Sequence, residues 1–120
     1  MRNFEYVNGV CPVGAGVSAI GGKWKIAIIW SLRNGAVRFN DLHRMLPQNL
    51  SQSVLTKQLR ELEGDGVIAR KIYHEIPPKV EYSLTQVGEA FLPVIIELGE
   101  WSEKYLLKNK RLLNYSRVDG

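Results

Sequence analysis

The chain has 120 residues, of which 45% are hydrophobic, and its single cysteine excludes an intrachain disulfide bond. This length supports one compact domain with a modest core, so we treat residues 1–120 as a single domain. The formal net charge of +4 favours an anionic partner without identifying one. Neither end shows the apolar core of a signal peptide and no run of about 18 apolar residues exists, so we expect a cytoplasmic protein without a membrane partner.

The first third of the chain is predicted to contain two helices. Residues 1–10 lack periodicity, and we expect them to form a loose arm or an addition to the neighbouring subunit. One short helix is predicted within residues 11–20. Residues 22–34 are predicted to form a helix that is apolar on most sides and ends at Gly35, and such a helix belongs at the centre of the domain.

A helix-turn-helix is predicted to follow. Residues 40–46 form its first helix, which packs Leu42 and Leu46 inward until Pro47 ends it. The second helix begins after Ser51, which can cap its N-terminus, and ends at Gly66.

Helical spacing divides this second helix into two faces. At about 100° per residue, Leu55, Leu59 and Leu62 form an apolar stripe. A polar and basic arc lies on another side and comprises Gln52, Ser53, Thr56, Lys57 and Arg60. A DNA recognition helix has this pattern, because the stripe anchors it and the arc faces outward. An ordinary amphipathic surface helix would show the same pattern, so this segment alone leaves both interpretations open.

Two strands are predicted after the helix-turn-helix, at residues 67–73 and 80–84, because β-branched and aromatic residues are frequent there. The loop between them contains Pro77 and Pro78, which preclude a tight two-residue turn and favour a protruding tip. We therefore predict an α+β, mainly α, fold: a winged helix-turn-helix with its wing at about residues 67–84 and terminal dimerisation helices.

A long last helix is predicted from residue 86 to about residue 107, capped by Thr85. Apolar residues recur in it at alternating steps of four and three, at Val87, Phe91, Val94, Leu98, Trp101 and Tyr105. This heptad-like seam predicts a dimer interface, with Pro93 kinking the helix where it leaves its own core. Alternatively, the seam covers only the back of the wing domain. Residues 109–120 are predicted to form a basic tail.

Several short motifs occur in a fixed order from Cys11 to about Trp101: Cys11-Pro12, Gly21-Gly22-Lys23-Trp24, Arg38-Phe39-Asn40-Asp41-Leu42, Leu59-Arg60-Glu61-Leu62-Glu63, Asp65-Gly66, Pro77-Pro78-Lys79-Val80-Glu81-Tyr82-Ser83-Leu84-Thr85 and Trp101. Together they resemble the HxlR family of bacterial and archaeal transcriptional regulators, which is related to MarR-like regulators. The resemblance implies a dimeric winged-helix DNA-binding protein, often a regulator of stress or detoxification genes. One departure is visible, because residues 47–51 make the turn before the recognition helix one residue longer than usual.

These inferences predict a sequence-specific regulator that binds double-stranded DNA as a homodimer. Two recognition helices related by a two-fold axis would meet an inverted repeat whose half-sites lie about one helical turn apart. Gln52, Ser53, Thr56 and Lys57 are the candidates for contacts with base edges, and Arg60 for a base or a phosphate. The phosphate candidates are Arg38, Ser51, Lys71 and Lys79. The alternative is a winged-helix module that binds a protein through the same face.

Cys11 is the candidate sensor of an oxidant effector, and the alternative is a small-molecule effector. Members of the HxlR family often carry a cysteine here that responds to oxidants or electrophiles. In addition, Lys23 and Lys25 follow soon after Cys11, and a nearby cation would stabilise its thiolate. Alternatively, Cys11 is a small hydrophobe near the dimer axis.

Little in the sequence supports an enzyme, a metal site or a cofactor. His43 and His74 are interpreted as surface residues, because neither has a nucleophile or a ligand pattern around it. Glu61, Glu63 and Asp65 are interpreted as a solvated acidic edge.

Overall fold

The computed structural model of the chain describes residues 9–107. Its elements in chain order are α1 (Pro12–Ile20), α2 (Lys25–Ser31), β1 (Val37–Arg38), α3 (Phe39–Met45), α4 (Gln52–Gly64), β2 (Ile68–Tyr73), β3 (Lys79–Leu84) and α5 (Gln86–Tyr105). The predicted α+β, mainly α, winged helix-turn-helix fold is confirmed. Residues 1–8 of the predicted arm and the whole predicted tail lie outside the described residues.

Helix α2 lies at the centre of the core, as its apolar sequence predicts. Its Ile28 and Ile29 are fully buried in one cluster with residues of α3, α4 and the sheet, among them Leu42, Leu55 and Leu59. The helix is shorter than the predicted span of residues 22–34. Gly22 has a φ of 99°, outside the helical region, so the regular helix starts only at Lys25. At the other end, hydrogen-bonded turns lead from Ser31 to Gly35.

The sheet has three antiparallel strands in the order β1-β3-β2, one more than the sequence predicted. The additional strand is β1, which pairs Val37 with Tyr82 and Arg38 with Glu81. Two residues are too few to show an alternating pattern, which explains why periodicity missed this strand. Strands β2 and β3 pair over their full length and form the wing, with residues 74–78 as its loop.

The turn between α3 and α4 is held by a histidine that the sequence placed on the surface. His43 is half-buried, and its Nε2 donates a hydrogen bond to the carbonyl oxygen of Leu50 at 2.6 Å. Leu50 is itself buried, and its backbone N–H donates to the carbonyl oxygen of Pro47. The interpretation of His43 as a surface residue was therefore wrong: it fixes the turn that sets the position of α4.

Helix α5 starts at the predicted cap. The Thr85 hydroxyl accepts a hydrogen bond from the Gly88 N–H at 3.2 Å and donates to the carbonyl oxygen of Gly66 at 2.6 Å. The helix runs through Pro93 to Tyr105. No helix within residues 9–107 combines the length and the apolar character needed to cross a membrane.

The predicted seam of α5 is divided between two surroundings. Phe91 packs against the core together with Leu92 and Ile95. The other seam residues keep between 47% and 60% of their surface exposed; they are Val87, Val94, Leu98, Trp101 and Tyr105, which we call the α5 stripe. One chain therefore leaves most of the seam uncovered.

Gly88 brings the start of α5 against the sheet. A Cβ atom at this position would collide with the Val67 carbonyl oxygen and crowd the Leu84 side chain. We expect Gly88→Ala to lower the free energy of unfolding by about 1–3 kcal/mol, because relieving the overlap must shift the helix. Gly99→Ala is the matched control in the same helix, since nothing lies within 4 Å of its added Cβ. Urea denaturation of both variants measures the difference, and equal stability would show that α5 docks differently.

Candidate DNA-binding surface

The candidate recognition helix α4 is oriented by its apolar stripe. Leu55, Leu59 and Leu62 are buried in the core, as their spacing predicts. The Ser51 hydroxyl caps the helix by accepting a hydrogen bond from the Val54 N–H at 3.1 Å. With the stripe turned inward, the polar arc of the helix faces away from the core.

Most of this arc lies around one open depression. Its volume is about 550 Å³, and its lining residues are Ser53, Thr56, Lys57, Arg60 and Glu61. Gln52 is also exposed and lies at the first position of the helix. The Thr56 hydroxyl donates to the Gln52 carbonyl oxygen, which leaves its lone pairs available as acceptors. The depression therefore presents donors of several lengths beside one carboxylate, that of Glu61, which the sequence did not single out as part of the face.

Two of the residues interpreted as a solvated acidic edge are held in ion pairs. A Glu61 carboxylate oxygen lies 2.8 Å from the Nζ of Lys25, and a Glu63 oxygen lies 3.4 Å from the Nε of Arg70. The hydrogen bond from Lys25 lowers the pKa of Glu61 below its usual value. Both side chains stay partly exposed, as the prediction of a solvated edge requires, but their ion pairs with α2 and β2 were not predicted.

The wing carries its candidate phosphate contacts on one side. In the antiparallel register, Glu81 of β3 stands opposite Arg38 of β1 and Lys71 of β2, and Lys79 stands opposite Tyr73. Residues directly opposite each other in a sheet share a face, so these five side chains form one surface, which we call the wing face. The strand register therefore brings together three predicted phosphate ligands that are distant in the sequence.

Two further residues organise the cations of the wing face. The Lys71 and Lys79 ammonium groups lie 4.8 Å and 4.5 Å from the centre of the Tyr73 ring, within cation–π range. The Lys79 Nζ also lies 3.5 Å from a Glu81 oxygen. A hydrogen bond from Tyr73, reinforced by Lys79 and Arg38, lowers the pKa of Glu81. The cations were predicted from the sequence, whereas Glu81 and Tyr73 were not, although alternation along β3 puts Glu81 on the same face as Lys79.

A groove joins the wing face to the start of α3. It has a volume of about 620 Å³ and includes Arg38, Asn40, Arg44 and Lys79 among its lining residues. Asp41, which also lines the groove, pairs with Arg44. Cations from the sheet and from α3 thus line the groove together with the carboxylates of Asp41 and Glu75.

The candidate sensor Cys11 occupies the N-cap position of α1 and is half-buried. The two lysines that suggested an activated thiol both have other contacts. Lys25 pairs with Glu61, and the Lys23 ammonium lies 4.9 Å from the centre of the Trp24 ring. Because both lysines have other partners, their proximity to Cys11 in the sequence does not support an activated thiol.

A second uncovered apolar surface lies on α1. None of its residues is buried, and Val13 and Val17 are among the exposed large hydrophobic residues of the chain. Within residues 9–107, no group of three His, Cys, Asp or Glu side chains is placed to hold a metal ion.

Comparisons with known proteins agree with this geometry. The HxlR-like helix-turn-helix family model matches residues 19–110. YybR of Bacillus subtilis (strain 168), an uncharacterised HTH-type transcriptional regulator, is 43% identical over 110 residues, which cover 92% of this chain and 84% of that protein. YdeP of the same organism, described in the same way, is 50% identical over 95 residues, covering 79% and 73%.

Solved structures give the same result. The redox regulator HypR in its reduced form is 42% identical, with a TM-score of 0.74, covering 81% of this chain and 97% of that one. Its oxidised form is 45% identical, with a TM-score of 0.72, covering 78% and 96%. The reduced transcriptional regulator YodB from B. subtilis is 32% identical, with a TM-score of 0.74, covering 83% and 98%.

Proposed function

Since this chain belongs to the HxlR-like helix-turn-helix family, whose relatives are HTH-type transcriptional regulators, we propose that it binds an inverted-repeat operator as a homodimer. The observation that carries the proposal is the orientation of α4: its leucine stripe is buried, and its polar and basic arc is exposed around one depression. A helix held in this way fits the major groove, where base edges present donors and acceptors.

The α4 side chains have different roles in this proposal. Lys57 suits the guanine acceptors and Gln52 suits adenine, while Ser53 and Thr56 contact whichever edge lies beside them. Arg60, nearly one turn beyond Lys57, contacts a base or a phosphate. These groups of the α4 face are polar or charged. A protein-interaction module would instead expose an apolar surface to its partner, so this face favours DNA binding.

Phosphate contacts position the duplex. Arg38, Lys71 and Lys79 supply them from the wing face, and Ser51 supplies one at the N-terminus of α4. Because the negative Glu81 carboxylate offsets part of the positive charge of these cations, the wing face attracts phosphate less strongly than three free cations would. The wing therefore contributes register and moderate affinity, and α4 contributes sequence selection.

The dimer is supported by the two uncovered apolar surfaces, the α5 stripe and the outer side of α1. An exposed stripe of this length is typical of a helix that packs against a second copy. A two-fold axis through such an interface would direct the two α4 helices into successive major grooves.

Selection from a random duplex pool tests this function. The purified protein is incubated with the pool at near-physiological salt with reductant, and the retained duplexes are sequenced. An enriched inverted repeat is expected. Retention that is weak, salt-labile and without an enriched sequence would leave only an electrostatic surface and would favour the protein-interaction module.

We further propose that Cys11 makes operator binding responsive to oxidants. HypR is described as a redox regulator and was solved in reduced and oxidised forms, and YodB was solved in reduced and diamide-treated forms. The chain has no second cysteine, so oxidation would form a disulfide either between the Cys11 residues of the two subunits or between each Cys11 and a small thiol. Alkylation by an electrophile is a third way to modify Cys11, without oxidation.

Cys11→Ser tests this proposal. The variant should bind the selected operator as the wild type does under reducing conditions, because serine preserves the size of the side chain. Diamide should release the wild-type protein from the operator and leave the variant bound, since the hydroxyl forms no disulfide. Equal release of both proteins, measured by fluorescence anisotropy, would exclude Cys11 as the sensor.

A further inference from the structure

Lys25 is the one charged side chain that is buried within residues 9–107, with 7% of its surface exposed. Removing an ammonium group from water is costly unless a partner offsets the loss of hydration. The partner is Glu61, whose carboxylate oxygen lies 2.8 Å from the Lys25 Nζ. This pair joins the first residue of α2 to the exposed side of α4.

Glu61 occupies a sensitive position on the candidate recognition helix. It lines the α4 depression beside Arg60 and stands four residues after Lys57, so its carboxylate lies on the same side of the helix. Lys57 contributes to lowering the pKa of Glu61, although less than Lys25 does. Without Lys25, the carboxylate would remain beside Lys57 and Arg60 in the same depression and would compete with the duplex for these two cations.

Core packing already holds α2 against α4. Ile28 and Ile29 of α2 lie in the same buried cluster as Leu55, Leu59 and Leu62 of α4. A methionine at position 25 would keep much of the apolar stem of the lysine, and the Glu61 carboxylate that remains is 42% exposed, so it is not left as an unpaired charge in the core. The ion pair therefore adds more to the charge distribution of the α4 face than to the attachment of the helix.

We propose that Lys25 is a positioning residue for DNA recognition, which holds the Glu61 carboxylate against α2 and thereby leaves Lys57 and Arg60 available to the duplex. The inference rests on the proposed function, because it assigns a role in the same DNA-binding face. Lys25 itself touches no DNA in this arrangement. Its effect reaches the duplex through the direction in which Glu61 points.

Four variants test the inference: Lys25→Met, Lys25→Arg, Glu61→Gln and the double variant Lys25→Met/Glu61→Gln. Affinity is measured for the selected operator and for a random-sequence duplex at several salt concentrations. Lys25→Met should lower the operator-to-random affinity ratio about tenfold, because the freed carboxylate competes for Lys57. Lys25→Arg should keep the ratio, since a cation still holds Glu61.

The Glu61 variants separate positioning from a structural role. Glu61→Gln should keep the ratio of the wild type, because the neutral amide does not compete for Lys57. Adding Glu61→Gln to Lys25→Met should restore most of the lost ratio, which a simple loss of folding would not allow. If Lys25→Met does not fold, a loss of ratio in Lys25→Arg or Glu61→Gln alone would still overturn the inference.

The wild-type protein separates the role of Lys25 from the proposed function. If the wild type binds operator and random duplex equally, the proposed function and this inference both fall. If the wild type discriminates and Lys25→Met discriminates equally well, only the role of Lys25 is overturned. A double variant that regains nothing would also overturn it.

Discussion

Replacing Lys57 by alanine should lower the operator-to-random affinity ratio roughly 10- to 100-fold, since one good base contact contributes about 1–3 kcal/mol of discrimination. Lys57 is exposed on the α4 face and lines its depression, so its ammonium can reach a base edge. Affinity for random duplex should change little, because that binding depends mainly on phosphate contacts. Titration of both duplexes at one salt concentration measures the ratio.

Lys79→Ala is the contrasting variant from the wing face. The side chain lies on the Tyr73 ring and beside Glu81, and its removal leaves a carboxylate that Arg38 and Lys71 still flank. Affinity should fall by a similar factor for operator and random duplex, and the dependence of log K on log salt should flatten by about one unit. Parallel losses of both affinities in the two variants would contradict the division between α4 and the wing.

Replacing Leu98 by aspartate should dissociate the dimer and weaken operator binding at least about 100-fold, because a buried apolar contact becomes an unpaired charge at the interface. Leu98 lies in the middle of the α5 stripe and is 47% exposed in the single chain. A monomer contacts one half-site only, so the loss should be much larger for the operator than for a single half-site. Sedimentation equilibrium and operator titration measure the two effects.

Ile96→Asp is the matched control for this variant. Ile96 is 49% exposed, nearly as much as Leu98, and stands two residues earlier in α5. At about 100° per residue, the two side chains point to nearly opposite sides of the helix. The control should remain dimeric and keep operator affinity. Dissociation by Ile96→Asp and not by Leu98→Asp would place the interface on the other side of α5.

The elements that the sequence predicted are those with a long, regular pattern. Leu55, Leu59 and Leu62 recur over about two turns, and the burial of this side of α4 follows from that spacing. The two wing strands follow from their β-branched residues and from the prolines between them. Caps are equally local signals, and Ser51 and Thr85 both accept the expected backbone hydrogen bonds.

The features that the sequence did not predict depend on contacts between distant segments. Strand β1 is two residues long and exists because Val37 and Arg38 find β3 as a partner. The pair of Lys25 with Glu61 needs the packing of α2 on α4, which no local pattern describes. Phe91 has the same spacing as the α5 stripe but packs against the core. Spacing in the sequence identifies one face of the helix, and it does not show which residues of that face contact the core of the same chain.

In the proposed dimer, two α4 helices read two half-sites from fixed positions. The most direct measurement compares the affinity of the wild-type protein for the selected operator with its affinity for the same operator carrying about five extra base pairs, or half a helical turn, between the half-sites. We expect the insertion to reduce affinity to that of a single half-site, because the second half-site turns to the opposite face of the duplex. Equal affinity for the two duplexes would contradict a dimer that reads both half-sites together.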